Sequence, residues 1–111
     1  MAVKAEVVEI NGISYNLISK IKEATVISKL DDTYYYGDIV IPDNIEYEGE
    51  SYKVTSIGYA AFFLSGITSV TIGNNIKSIG DDAFYKCTSL ATVVIPNSVE
   101  TIGELAFSFC I

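Results

Sequence analysis

Three sets of side chains in this sequence could do chemistry. Cys87 and Cys110 are its two thiols, and a thiolate can serve as nucleophile or soft-metal ligand. Asp31-Asp32 and Asp81-Asp82 are paired carboxylates able in principle to hold Ca²⁺. Tyr34-Tyr35-Tyr36 offers rings and hydroxyls suited to protein or glycan contact. None of the three keeps the company that catalysis requires. The chain has no histidine, which removes Ser-His-Asp and Cys-His nucleophile arrangements and histidine metal sites. No P-loop, G-x-G-x-x-G or EF-hand pattern occurs. The expectation is therefore no enzyme: no catalytic residue, no cofactor and no metal. The aspartate pairs read as a solvated turn and a helix cap, and the tyrosine triplet reads first as edge-strand packing, with at least one of its rings turned to solvent because successive strand residues alternate faces.

The thiols lie 23 residues apart, and that distance is the period of the chain itself. A block opening on Ile-Gly recurs as IGYAAF at 57–62, IGDDAF at 79–84 and IGELAF at 102–107, with starts 22 and then 23 residues apart. Between the blocks come ITSVTI at 67–72 and LATVVI at 90–95, with YGDIVI at 36–41 upstream. Each has large apolar residues at its first, fourth and sixth positions. Asn44, Asn75 or Ser98 follows three residues after the sixth. This is the L-x-x-L-x-L-x-x-N skeleton of a leucine-rich repeat, with Ile and Val in place of most Leu.

The pattern dictates local structure. In LATVVI, Val93 and Ile95 alternate with Thr92 and Val94, so one face points inward as in a short strand. Pro96 and Pro42 lack an amide hydrogen and end the ladder; Gly73 holds the place in between. Asn75 or Ser98 then turns the chain with a side chain that can serve unpaired backbone groups. Gly58, Gly80 and Gly103 are expected to give the freedom to reverse direction, and Asp81-Asp82 to open a short helix. Stacked repeats would align Phe62, Phe84 and Phe107 in one spine and Ile57, Ile79 and Ile102 in another. The two cysteines then fill equivalent slots in adjacent coils. Reduced core thiols are the favoured reading; a disulfide, geometrically open to strands about 4.8 Å apart, and a metal pair are the alternatives.

The string CTSLATVVIPNSVETIGELAFSFC resembles the BspA-type leucine-rich repeats of bacterial surface proteins. The likeness covers about residues 36–111 and rests on the long ordered pattern IP-N-S-V-x-x-IG-x-x-AF-x-x-C. It implies an α/β right-handed solenoid with a parallel concave sheet, short helices or turns on the convex side, and an N-terminal β-hairpin cap. It also implies a secreted or cell-surface protein-binding or adhesion module whose partner is a protein ligand, such as a host matrix or cell-surface protein. Gly73 departs from the family, which usually has Pro after the strand.

Residues 1–35 read as a β-rich cap preceding repeats at 36–111. AEVVEINGISYNLI alternates around Asn11-Gly12, a type I′ hairpin signal, and Glu23–Ile27 offers a third strand. A second hairpin is expected to protrude at Glu48-Gly49. The start, MAVKAEVVEI, lacks the apolar block of a signal peptide, so the protein is cytoplasmic or its leader lies outside this sequence. The last repeat stops before its next strand, leaving an apolar end of Ala106, Phe107, Phe109 and Ile111. Further repeats or an end-to-end homodimer are expected to cover it.

Fourteen acidic residues against seven lysines, with no arginine, give a net charge of −7. That balance repels phosphate backbones and argues against a nucleic-acid partner. No apolar run is long enough to span a membrane as a helix. The candidate binding surface is therefore the outward sheet face, Asp38, Val40, Ser69, Thr71, Thr92 and Val94, together with Tyr34 and Tyr35. It is small, hydroxyl-rich and flat, suited to a partner and without a cleft to desolvate a catalytic group. The rival reading is a structural segment that caps or extends a longer array and associates with itself.

Overall fold

The computed structural model describes residues 5–110; residues 1–4 and Ile111, which the leader and open-end expectations touch, lie outside them. Alternation and turn residues place the first strands. β1 (Ala5–Ile10) and β2 (Ile13–Ile18) pair antiparallel around Asn11-Gly12. Both turn residues have positive φ, 50° and 83°, as a type I′ turn requires. β3 (Glu23–Ile27) adds antiparallel to β2. After β4 (Tyr36–Val40), the hairpin β5 (Asn44–Tyr47) and β6 (Glu50–Ile57) turns at Glu48-Gly49 as expected. Beyond Lys53, however, β6 runs on into the sheet, parallel to β3. The hairpin is thus anchored in the fold and is not simply a protrusion.

Two sheets carry the repeats. β4, β7 (Gly66–Thr71) and β9 (Thr92–Val94) form a three-stranded parallel sheet. This is the ladder the apolar triplets foretold. The second was not foreseen: Ser56-Ile57 at the end of β6 pairs parallel with β8 (Ser78–Ile79), and β8 with β10 (Thr101–Ile102). These rungs extend the hairpin sheet to seven strands, in the order β1-β2-β3-β6-β8-β10 with β5 beside β6.

No helix occurs among the described residues, so Asp81-Asp82 opens a turn. In the first coil the amides of Ala61, Phe63 and Ser65 bond locally, to the carbonyls of Gly58, Ala60 and Phe62. Those of Ala60, Phe62 and Leu64 reach instead to Asp81, Ala83 and Tyr85 of the next coil. The second coil repeats this alternation, with Asp82, Phe84 and Lys86 donating to Glu104, Ala106 and Ser108. A helix would direct every amide within its own segment; here every second one ties coil to coil. The cost is left-handed backbone at Ala60, Leu64, Asp82, Lys86, Leu105 and Phe109, with φ of 54–60°.

Gly58, Gly80 and Gly103 have no positive φ and do not serve the reversal expected of them. Their role is close approach. A Cβ on Gly80 would lie 2.9 Å from the Gly58 carbonyl carbon and the Tyr59 nitrogen, and one on Gly103 2.7 Å from the Gly80 carbonyl carbon. Gly73 is similar: its Cβ would lie 2.8 Å from the Ile41 and Pro42 carbonyl oxygens.

With the coils this close, like side chains stack. The rings of Phe62 and Phe84 are 5.1 Å apart and 4° from parallel, those of Phe84 and Phe107 4.9 Å apart and 6° from parallel. Tyr35 closes the spine below Phe62 at 4.7 Å. Ile57, Ile67, Ile76 and Ile79 fill the space between the sheets, all buried. Fully burying a side chain of this size contributes about 1.5–3 kcal/mol, and no single coil could supply such cover alone.

Candidate binding surface

Parallel register brings the predicted residues into two rows across the three-stranded sheet. Asp38 aligns with Ser69 and Ser69 with Thr92; Val40 aligns with Thr71 and Thr71 with Val94. Five of these six are exposed and Ser69 is half-buried, while Val70 between them faces the core. Asp38 organises one end. Its Oδ1 accepts from Ser69 Oγ at 2.7 Å and Thr68 Oγ1 at 3.0 Å, and these bonds hold its carboxyl below the usual aspartate range. Thr68 reaches Asp38 because the β4–β7 register shifts there, pairing Gly37 with Ile67 but Asp38 with Ser69.

The tyrosine triplet divides. Tyr34 and Tyr36 are exposed, Tyr36 at 81%. Tyr35 is not on the surface assigned to it: it is 4% exposed, donates to the Ile27 carbonyl at 2.7 Å and accepts the Ser14 amide at 2.9 Å. Burial raises its phenol above the ordinary value. Three successive tyrosines cannot share one face, and Tyr35 is the one whose ring packs on Phe62, 4.7 Å away. Tyr36, left out of the predicted set, is the residue that alternation puts outward. No observation brings Tyr34 onto the two sheet rows; it lines the clefts beside Lys29 and Tyr35.

The thiols lie apart from this surface, on the turn side. Cys87 Sγ donates to the Phe62 carbonyl at 2.9 Å and Cys110 Sγ to that of Phe84 at 3.0 Å. Each thus ties its coil to the one below, as repeat equivalence predicts, and both are free thiols. Burial pushes the Cys87 thiol above its ordinary pKa, the reverse of what an activated nucleophile needs. Ser65 occupies the same slot in the first coil, its Oγ 3.4 Å from Cys87 Sγ. Neither aspartate pair gathers further ligands: among the described residues no three acidic or thiol side chains cluster as a metal site would need. Asp31 instead accepts from Thr33 at 2.6 Å, and Asp81 from the Glu104 amide at 2.8 Å. The turn asparagine behaves as expected, Asn75 Nδ2 donating to the Asp43 carbonyl at 3.0 Å.

The repeat geometry has a counterpart among known families. The family described as BspA type leucine rich repeat region, in six copies, matches residues 14–111. The chain belongs to this family. Its BspA-type repeats thus reach further towards the N-terminus than the sequence likeness at 36–111. No curated protein sequence matches the chain. Among solved structures, a leucine-rich repeat protein from Bacteroides ovatus superposes with a TM-score of 0.77 at 32% identity, covering 93% of this chain and 27% of that one. A leucine rich cell surface protein from Faecalibacterium prausnitzii gives 0.74 at 28% identity, covering 96% and 28%. A third, from Bacteroides capillosus, gives 0.73 at 27% identity and covers 86% of both chains. This chain therefore spans little more than a quarter of the length of the first two. Its fold is that of a leucine-rich repeat array, with turns in place of short helices among the described residues.

Proposed function

We propose that this chain is a non-catalytic protein-binding or adhesion module of a bacterial secreted or cell-surface protein, and that the outward face of its three-stranded sheet contacts the partner. The observation that carries this reading is the pair of aligned rows, Asp38–Ser69–Thr92 and Val40–Thr71–Val94. They expose small hydroxyl and apolar side chains on a rigid sheet, flanked by exposed Tyr36, which suits a broad macromolecular contact. The description of the F. prausnitzii relative as a cell surface protein supports the location. Among the described residues, 5–35 serve as the cap of the strands from 36 onward, although the family match begins within them at residue 14: the β1–β2 hairpin and β3 bring an antiparallel unit against the first parallel rung.

The test is binding to a panel of soluble host matrix glycoproteins by surface plasmon resonance. Thr71→Lys with Thr92→Lys, both exposed, places two long cations on the sheet face and is expected to abolish binding while leaving the circular dichroism spectrum unchanged. Tyr36→Ala is expected to weaken it. Retained binding in both variants refutes the sheet-face reading.

A second reading, a structural segment that associates with itself, is favoured by one feature. Leu105 and Phe109 are exposed and, among the described residues, the amides of Leu105, Phe107 and Phe109 meet no carbonyl. A two-fold end-to-end homodimer would set donors against donors. Self-association through this end would instead run head to tail, and sedimentation velocity distinguishes a growing series from a single dimer.

A further inference from the structure

The turn ladder is one-way. Amides of each coil point to the next coil, and the carbonyls of Asp81, Ala83 and Tyr85 receive them, as do those of Glu104, Ala106 and Ser108. The equivalent carbonyls of the first coil belong to Tyr59, Ala61 and Phe63. By repeat equivalence they face back towards residues 28–35, where Ala61 and Phe63 line the intervening space, and among the described residues no backbone amide reaches them. Segment 28–35 occupies the place of a preceding turn and meets the first coil through the Tyr35 ring on Phe62 and the Gly66 amide on the Tyr35 carbonyl, but it sends no amide to the Tyr59, Ala61 or Phe63 carbonyls. Beside the Tyr35 contact a cleft of about 290 Å³ opens between the two, lined by Ser28, Asp32, Thr33 and Tyr34 on one side and by Ala60, Ala61 and Phe63 on the other.

We propose that this cleft binds a guanidinium group, the arginine side chain of a partner protein. A row of carbonyls alone selects against a β-strand, whose edge would bring its own carbonyls against them. Their parallel alignment, dictated by the ladder, also fails to converge on one point as a metal cage must. The ligand has to be donor-only, and guanidinium is planar with five N–H donors and no acceptor. Asp32 supplies a carboxylate and exposed Tyr34 a ring on which such a plane can stack. Lys29, the one cation of the lining, has its ammonium over the Tyr35 ring, 5.2 Å from the centroid. The net charge of −7 favours approach of a basic partner. This site goes beyond the sheet-face reading and does not depend on it.

The experiment titrates isotope-labelled protein with N-acetylarginine methylamide, its neutral citrulline analogue and the lysine analogue, following amide and carbonyl resonances. The arginine probe is expected to shift the Ala61 and Phe63 carbonyls and the amides of 28–35. Citrulline should bind at least about tenfold more weakly, because it loses charge-assisted hydrogen bonds. Asp32→Asn should weaken the arginine probe several-fold without unfolding, since Asp32 is exposed with φ of 63°, a region asparagine tolerates. Absence of shifts, shifts elsewhere, equal binding of citrulline or lysine, or an unaffected Asp32→Asn variant would each overturn the assignment.

Discussion

The second and third coils carry nearly the same residues and bury them very differently. Ile79 is 1% exposed and its equivalent Ile102 50%; Ile72 is 5% exposed and Ile95 39%. Phe84 lies sealed between two rings, whereas Phe107 stacks on one and is half-buried. Cys87 is buried and Cys110 half-buried. Side-chain identity is constant within each of these residue pairs, so the difference comes from neighbours: the second coil is covered on both faces, the third on one among the described residues. Stability in such an array is a sum over interfaces and not a property of each coil.

The thiols give the widest contrast. Cys87 can meet a thiol reagent only through unfolding of both its interfaces. Native labelling should therefore be slowed by on the order of a thousandfold or more relative to the denatured chain, if stability reaches about 5 kcal/mol. Cys110 should react well before Cys87. Equal rates would show that the third coil shields its thiol as well as the second does. An intact mass two hydrogens light would show a disulfide and overturn the free-thiol assignment.

Phe84→Ala should cost about 3–5 kcal/mol, enough to unfold a domain of marginal stability. Phe107→Ala should cost roughly half of that, since among the described residues one of its faces lacks a ring partner. Denaturation midpoints of the two variants report the difference directly, and identical midpoints would contradict the two-sided stack. Gly80→Ala comes next, at about 1–3 kcal/mol, because its methyl would strike the backbone of Gly58 and Tyr59 in the coil below.

The smallest effects should ignore the comparison altogether. Asp82 and Leu105 occupy the same left-handed position, each with φ of 58°. Glycine removes that local strain wherever the coil sits, so Asp82→Gly and Leu105→Gly should each raise stability by about 0.5–1 kcal/mol. A gain in one coil and a loss in the other would show that the turn strain is coupled to stacking.

Much of this arrangement could be read from residue order. The phenylalanine spine, the cysteine slots and the strands at 36–41 and 67–72 follow from a repeat of 22–23 residues with apolar alternation inside it. The hairpins followed from Asn11-Gly12 and Glu48-Gly49. The sheet formed by Ser78-Ile79 and Thr101-Ile102 escaped notice because a two-residue rung is too short for alternation to register. Turns were one of the two convex-side forms expected, but their left-handed geometry escaped because Ala60, Leu64 and Leu105 are poor advertisements for it; only stacking holds them there. Glycine before such a turn looked like a hinge, yet its use is the missing Cβ. For Tyr34 to Tyr36, alternation required some tyrosine to face outward, and the apolar slot beneath Phe62 chose Tyr35 for the interior. The aligned rows of candidate contact residues were legible from strand phase alone.

Amide hydrogen exchange, resolved by residue, tests the coil-to-coil ladder on which the rest depends. Strong protection is expected at Ala60, Phe62 and Leu64 and at Asp82, Phe84 and Lys86, whose amides are held by the next coil. Rapid exchange is expected at Leu105, Phe107 and Phe109 in the 111-residue chain. Protection of these last three equal to that of Asp82, Phe84 and Lys86, or rapid exchange at all nine, would contradict the ladder.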